Sequence, residues 1–401
     1  MFGQRFALLG LLAFSISVSA ETSTAPAAPA RPTAKPTLQS IFNSSIRDLL
    51  TNIKNARRIQ EARGSETTLH MMLHQVSRQR ALKAQVSACE TFSRLPITDL
   101  ALLETEIDSI EHQATLGPCY LKLKQDLQSY WEGQEMKLRA AHPVEASGGA
   151  VTFRVIEKII PTDRAQEFVT ADLEPGQIML TFDDGPHPTN TVSVLQTLKS
   201  FGAKATFFSQ GSAASFFPET LRRVGLEGHA IGSHSFSHPK LAQNIKAGKF
   251  TLADALDEIR KGHESVFSQN GWIDPFFRFP HGDVNRDMKN FLRAEKVQSF
   301  LWNIDSLDWK TSDPELLVQQ ALAEIKRQGN RGIILFHDTK RQTALALPHI
   351  LRALANQDFT LVVPVPDDLQ IRLNRVPLID SSPRRELLER RAEHSRQALG
   401  G

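Results

Sequence analysis

Cysteine is nearly missing. The 401 residues hold two, Cys89 and Cys119, and neither has a CxxC partner, which excludes a thiolate metal or redox site of that kind. A dominant sign of charge is missing as well. Lys and Arg number 47 against 44 Asp and Glu, a net charge of +3. With no basic stretch interleaved with aromatics, that balance gives no footing for a nucleic-acid partner, though an acidic polymer is compatible with it. After the first twenty residues no run is long and apolar enough to span a bilayer. No repeat of solenoid period is visible. What remains is an ordinary soluble composition, 41% hydrophobic and 23% charged, in a chain long enough for two or three domains.

The start carries Arg5, then FALLGLLAFSISV, then Val18-Ser19-Ala20. A charged n-region, a short apolar run and a small-x-small site read as a cleaved signal peptide over 1–20, with an uncleaved anchor as the alternative. No Cys follows the run, which argues against a lipoprotein. We therefore expect a secreted or periplasmic protein with no transmembrane span after cleavage. Export also makes a Cys89–Cys119 disulfide an expectation, closing a loop for about 3–4 kcal/mol. Two buried free thiols are the alternative.

Residues 21–37 are rich in Pro, Ala and Thr and read as a linker. Residues 38–145 read as a small α-helical domain, because Ile46, Leu49, Leu50 and Ile53 share a face, as do Leu100, Leu103, Ile107 and Ile110. A spacer or a self-association module is the plainest role for it. From 150 to 366 short β-branched and aromatic runs alternate with helical stretches. QIMLTF, ATFFSQ, HAIGSH, FFRFP, QSFLWNI, GIILFH and FTLVVPV are the expected strands. The pattern is α/β, and seven such units point to a distorted (β/α) barrel more than to an open sheet. A charged tail covers 367–401.

In such a barrel the chemistry gathers at the C-terminal ends of the strands. Asp183, Asp184, His234, His238, Arg278, Asp305, Asp308, His337 and Asp338 all fall at those ends. Each is weak evidence alone. The pair in TFDDGP reads first as a solvated turn, and can serve one site only if the backbone bends there, because consecutive strand residues face opposite ways. The pair in HSFSH is ordinary by itself, yet with one Asp it would make a two-His-one-carboxylate zinc site. HMMLH, with His70 and His74, has the same spacing but no base, acid or groove nearby. Arg278 lies among large apolar residues, where a charge is costly unless paired, and Asp183 and Asp308 are the candidate partners. His337, after an apolar strand, is a candidate general acid. Trp309 could be core or line a sugar groove, and Leu335 shares a strand face with His337.

Together TFDDGP, HSFSHP, RFPHG, DSLDW and LFHD resemble, in order and spacing, the polysaccharide deacetylases of carbohydrate esterase family four, the NodB-homology domain. The resemblance covers about residues 175–365. It implies a distorted (β/α) barrel and metal-dependent removal of acetyl groups from a glycan polymer, with Zn2+ as the first candidate and other divalent transition metals fitting the same donors. It implies Asp184, His234 and His238 as metal ligands, Asp183 as general base, Arg278 as the residue orienting it, and Asp308 as support for His337, the general acid. Trp309 and Leu335 would wall the acetyl pocket. One motif departs: RPPYG is usual, and here Phe279 and His281 replace Pro and Tyr. The backbone N–H of His281 still qualifies as an oxyanion donor. We expect a glycan built on N-acetylglucosamine, peptidoglycan first and chitin-like chains or exopolysaccharide next.

Overall fold

The computed structural model describes residues 95–104, 118–142 and 151–368. The expected signal peptide, the linker, residues 38–94 with His70, His74 and Cys89, and residues 105–117, 143–150 and 369–401 lie outside the described residues, as does the side chain of Cys119. The expected disulfide therefore falls there too.

Two helices of the N-terminal part are described, α1 (Ile97–Leu102) and α2 (Pro118–Ala141). Leu123, Leu127, Trp131 and Leu138 recur on one face of α2 and are 3% exposed or less, and Leu138 joins the core of the following domain.

Ten strands follow: β1 (Arg154–Ile160), β2 (Glu167–Phe168), β3 (Gln177–Asp183), β4 (Thr206–Ser209), β5 (Ala230–Ser233), β6 (Phe276–Phe277), β7 (Gln298–Phe300), β8 (Ile304–Asp305), β9 (Gly332–His337) and β10 (Thr360–Pro366). Every pairing between them is parallel. The helices between strands are α3 (Asn190–Ser200), α4 (Gly211–Phe216), α5 (Pro218–Leu226), α6 (Leu241–Lys246), α7 (Leu252–Asn270), α8 (Arg286–Ala294), α9 (Pro314–Arg327) and α10 (Arg341–Ala355). The hydrogen-bonded path runs β8-β9-β3-β4-β5-β6-β7-β2, while β10 joins the first residues of β3 and carries β1 on its other edge. No ladder joins β7 to β8 among the described residues. The result is the expected distorted (β/α) barrel, open at one seam.

QSFLWNI is two strands rather than one. The Phe300 and Leu301 carbonyls at the break accept from Arg278 Nε and Nη2, at 3.3 and 3.1 Å. Asn303, just beyond, accepts from the Ile333 N–H and donates to the Arg331 carbonyl. β1 and β2 were not expected. RVIEKII is partly exposed along its length and carries charges inside the run, which hides its strand character.

Strand alternation separates two cores. Ile178, Leu180, Phe182, Ile334 and Phe336 point outward and pack with Val194, Leu195, Leu317, Val318, Leu347 and Ile350 of the surrounding helices. Met179, Phe208, Phe276, Phe300 and Ile333 fill the barrel interior. Each such fully buried side chain contributes roughly 1.5–3 kcal/mol. By the same alternation Thr181 and Asp183 follow Met179 inward, and Leu335 and His337 follow Ile333.

Candidate functional site

The TFDDGP turn solves the facing problem posed by adjacent aspartates. β3 ends at Asp183, and Asp184 takes a left-handed backbone with φ 76°. That single reversal lets both carboxylates serve one side. Ser235, His238, His281 and Leu307, on three other loops of the rim, also have φ near 60°. Such conformations are uncommon for non-glycine residues and here re-aim the chain at each strand end. The loops are also locked to one another. Gly185 presses on Asp338 so closely that a Cβ would lie 2.1 Å from its Oδ2. Thr191 Oγ1 donates to that Oδ2 at 2.5 Å, and Asn190 Nδ2 donates to the Thr339 carbonyl at 2.8 Å.

Asp184, His234 and His238 meet beyond the end of β5. One ligand atom from each lies within 4.8 Å of the others. Asp184 Oδ1 is 3.2 Å from His238 Nε2 and 3.6 Å from His234 Nε2. His234 Nδ1 faces the Arg278 carbonyl at 2.8 Å, so its proton belongs there and Nε2 presents a lone pair to Asp184. Burial lowers His234 and His238 to about 4, which keeps both imidazoles neutral at neutral pH. Burial alone would raise the Asp184 carboxyl, but His238, His337 and His234 around it hold it well below the usual carboxylate range. Asp184 Oδ1 is buried and accepts no hydrogen bond among the described residues. An ionised carboxylate with an orphaned oxygen facing two imidazole lone pairs is a poor hydrogen-bonding arrangement and a good donor set for a divalent metal. These residues fit one.

Asp183, beside this cluster, is held differently. Its Oδ1 accepts from Arg278 Nη1 at 2.7 Å, and its Oδ2 lies 3.7 Å from His234 Nε2. Burial raises Asp183 to about 6, with the Arg278 charge opposing. Arg278 follows β6 and is fully buried. Nη1 also donates to Thr181 Oγ1 at 2.8 Å, and the guanidinium lies over the Phe208 ring at 4.3 Å and the Trp302 ring at 5.5 Å. Of the two partners considered for Arg278, Asp183 is the one it meets. Asp308 is taken elsewhere.

Asp308 is buried against His337. Its Oδ1 is 2.7 Å from His337 Nδ1, and its Oδ2 accepts from the His337 backbone N–H at 2.6 Å and from Thr343 Oγ1 at 2.6 Å. Gln342 Nε2 donates to the Asp308 carbonyl at 2.7 Å. Burial would lower the His337 imidazole, but Asp308 overrides it and raises it to about 10. His337 Nε2, the other ring nitrogen, faces Asp184 Oδ2 at 3.9 Å. Asp305, at the end of β8, accepts from the Leu307 N–H at 2.9 Å and from Trp309 Nε1 at 3.3 Å, so it shapes the loop that carries Asp308. Trp309 is half-buried and Leu335 buried on the His337 face of β9.

His281 sits edge-on against the His238 ring with centroids 4.4 Å apart. Burial lowers its imidazole far below the usual value. Several contributors were not singled out from the sequence: Thr181, Trp302, Thr191, Thr343, Gln342 and Glu258. Glu258, on α7, accepts from the Ser237 N–H and hydroxyl at 2.8 and 2.9 Å and so fixes the HSFSH loop. It lies in a helical stretch whose charges look like a solvated face, and no local pattern marks it. Asp338 stood on the predicted rim without a role. Burial raises it to about 7, with Asp184 and Asp183 adding to the rise.

Comparison with known proteins gives four matches. A family model described as polysaccharide deacetylase matches residues 170–299, which includes Asp183 to His281 and stops before Asp308 and His337. The peptidoglycan-N-acetylmuramic acid deacetylase PdaC of Bacillus subtilis is 33% identical over 193 residues, 48% of this chain and 39% of that protein. The chain therefore spans about two fifths of PdaC. The chitooligosaccharide deacetylase of Azorhizobium caulinodans is 32% identical over 198 residues, 46% of this chain and 90% of that protein. Among solved structures, the Bdellovibrio bacteriovorus peptidoglycan deacetylase Bd3279 matches with a TM-score of 0.69 and 32% identity, covering 82% of this chain and 96% of that one.

Proposed function

The chain belongs to the polysaccharide deacetylase family, and from that premise we propose that it is an exported, metal-dependent hydrolase that removes N-acetyl groups from a glycan built on N-acetylglucosamine. Peptidoglycan is the favoured polymer, in keeping with the activities for which two of the relatives are named. A chitin-like chain is second. Residues 1–20 are the export signal, 21–37 the linker, 38–145 the helical domain, 150–366 the catalytic domain and 367–401 a charged tail. Among the described residues no helix is long and apolar enough to cross a membrane.

The observation that carries the reading is the Asp184, His234 and His238 donor set, with a buried, unbonded Asp184 oxygen, flanked by a carboxylate on Arg278 and an imidazole on Asp308. Asp184, His234 and His238 would hold the metal, zinc in the first instance. Bound there, it supplies a lowered pKa for water and polarisation of the acetyl carbonyl. Asp183 accepts the proton of the attacking water. A carboxyl raised to about 6 is largely ionised at neutral pH yet basic enough to take that proton. Arg278 keeps Asp183 in place and aims its second oxygen into the site. The His281 N–H donates to the oxyanion as it develops. His337, protonated through Asp308, gives its Nε2 proton to the departing amine. The C–N bond breaks, leaving acetate and a free amino sugar. Trp309 and Leu335 enclose the acetyl methyl.

Incubating zinc-loaded protein with N-acetylglucosamine oligomers and with peptidoglycan, and measuring acetate, tests the reading. Release from at least one is expected. Binding of both with release from neither would make this a glycan-binding protein instead.

A further inference from the structure

Asp308 and His337 come from different loops, one between β8 and α9, the other between β9 and α10. Their contact has little slack. Asp308 Oδ1 is 2.7 Å from His337 Nδ1, and Oδ2 accepts from the His337 N–H at 2.6 Å. A shift of about 1 Å in either loop would break both bonds. The first turn of α10 links the two loops. Its Gln342 Nε2 donates to the Asp308 carbonyl at 2.7 Å, and its Thr343 Oγ1 donates to Asp308 Oδ2 at 2.6 Å. The Lys340 N–H, one residue before the helix, donates to the His337 carbonyl at 3.2 Å. Whatever fixes this turn therefore fixes the pair.

The N-terminal helices hold that turn. Lys340 Nζ donates to the Leu102 carbonyl at the end of α1, at 3.4 Å. Arg341 reaches Glu104 through Nη1 at 3.3 Å and Gln128 of α2 through Nη2 at 3.1 Å, with its guanidinium over the Trp131 ring at 5.7 Å. The same helix also holds the Asp308 loop. Ser312, four residues after Asp308, accepts at its carbonyl from the Tyr130 hydroxyl at 3.1 Å, and its own hydroxyl pairs with that oxygen at 3.0 Å. α9 begins two residues later, and its Glu315 Oε2 lies 2.7 Å from His142 Nε2, just past the end of α2. Tyr130 and Trp131 are adjacent on α2, with rings edge-on at 5.0 Å, and each meets a different loop of the pair. A spacer needs none of these contacts.

We propose that the N-terminal helical module braces the acid of the site, with Tyr130 and Glu104 as positioning residues that hold the loops of Asp308 and His337 in register with one another. The catalytic consequence rests on the deacetylase reading. The bracing itself is a matter of geometry and can be measured without turnover.

The His337 N–H supplies the readout, because its acceptor is Asp308 Oδ2. The full chain is labelled with 15N-histidine, and deuterium exchange is followed by NMR, with the His337 signal identified by its loss in His337→Gln. Tyr130→Phe removes one hydroxyl, and Glu104→Leu removes the carboxylate at nearly constant volume. In each variant the His337 N–H should exchange about fivefold faster, the size of one net hydrogen bond. His234, whose N–H donates to the Ser209 carbonyl at the end of β5, should exchange at the unaltered rate. In the same samples kcat for acetate release should fall by a similar factor, with zinc affinity unchanged, because the three donors sit on other loops. An unchanged His337 rate would show that the pair holds itself, and would overturn the proposal. Equal acceleration at His234 would overturn it too, since the module would then only stabilise the domain as a whole. Faster exchange with an unchanged kcat would likewise remove the positioning role. If the unaltered protein releases no acetate, the deacetylase reading fails alone, and the exchange rates still judge the brace.

Discussion

Asp183 and Asp184 are neighbours in sequence and opposites in chemistry. Three imidazoles surround Asp184 and keep it ionised, whereas Asp183 is buried deeply enough that one guanidinium does not fully offset the cost. On the proposed reading, this divides two identical side chains between holding a cation and moving a proton. The sequence pattern carried both residues to the rim, but their division depends on burial and on which loop faces which, and no local spacing encodes that. The partner of Arg278 shows the same limit: two carboxylates were eligible, and only the register of β6 against β3 through β5 and β4 selects Asp183. At this scale the sharpest consequence concerns Asp308. It raises His337 to about 10, so the acid form persists across the neutral range and is lost only as pH rises through that value. Asp308→Asn removes the charge that opposes burial, so the imidazole pKa falls. The alkaline limb of the kcat–pH profile should then move toward neutrality by more than one unit. A lowered kcat with an unmoved limb would mean that Asp308 acts by geometry alone.

The elements place these residues through close backbone approach. α7 is set by a capping box between Thr251 and Asp254 at its start and a left-handed Gly271 at its end. Its Gly262 lies so close to the HSFSH loop that a Cβ would meet the Ser235 carbonyl carbon at 2.3 Å. The Phe236 N–H donates to the Glu258 carbonyl at 3.0 Å on the same helix. Gly262→Ala should therefore push the loop outward and carry His234 and His238 with it. We expect zinc affinity to fall about 10- to 100-fold, as when the supports of a metal ligand are lost, with helical content by circular dichroism retained. Unchanged affinity would show that the loop holds its ligands without α7. The alternating strand and helix pattern was legible in sequence because each barrel strand has an apolar run bounded by turn residues. The split of QSFLWNI was not, because it accompanies a distant guanidinium bonding two of the run's carbonyls.

At the scale of the whole molecule, a parallel barrel gathers the ends of separated strands, and five short motifs spread over some 160 residues of sequence become one rim. That convergence was readable, since each motif follows a recognisable apolar strand. The role of the N-terminal helices was not. Their amphipathic pattern predicts helix and burial of one face, but gives no sign of which surface receives it. Arg341, Glu104 and Trp131 reveal the docking only in three dimensions. The central claim is that this rim separates a metal-holding carboxylate from a proton-accepting one, and Asp183→Asn tests it most directly. Zinc content and acetate release are measured on the same purified sample. We predict one zinc per chain, as in the unaltered protein, with kcat lower by about 100-fold or more. Turnover near that of the unaltered protein, or loss of zinc together with activity, would contradict the assignment of Asp183 as the base.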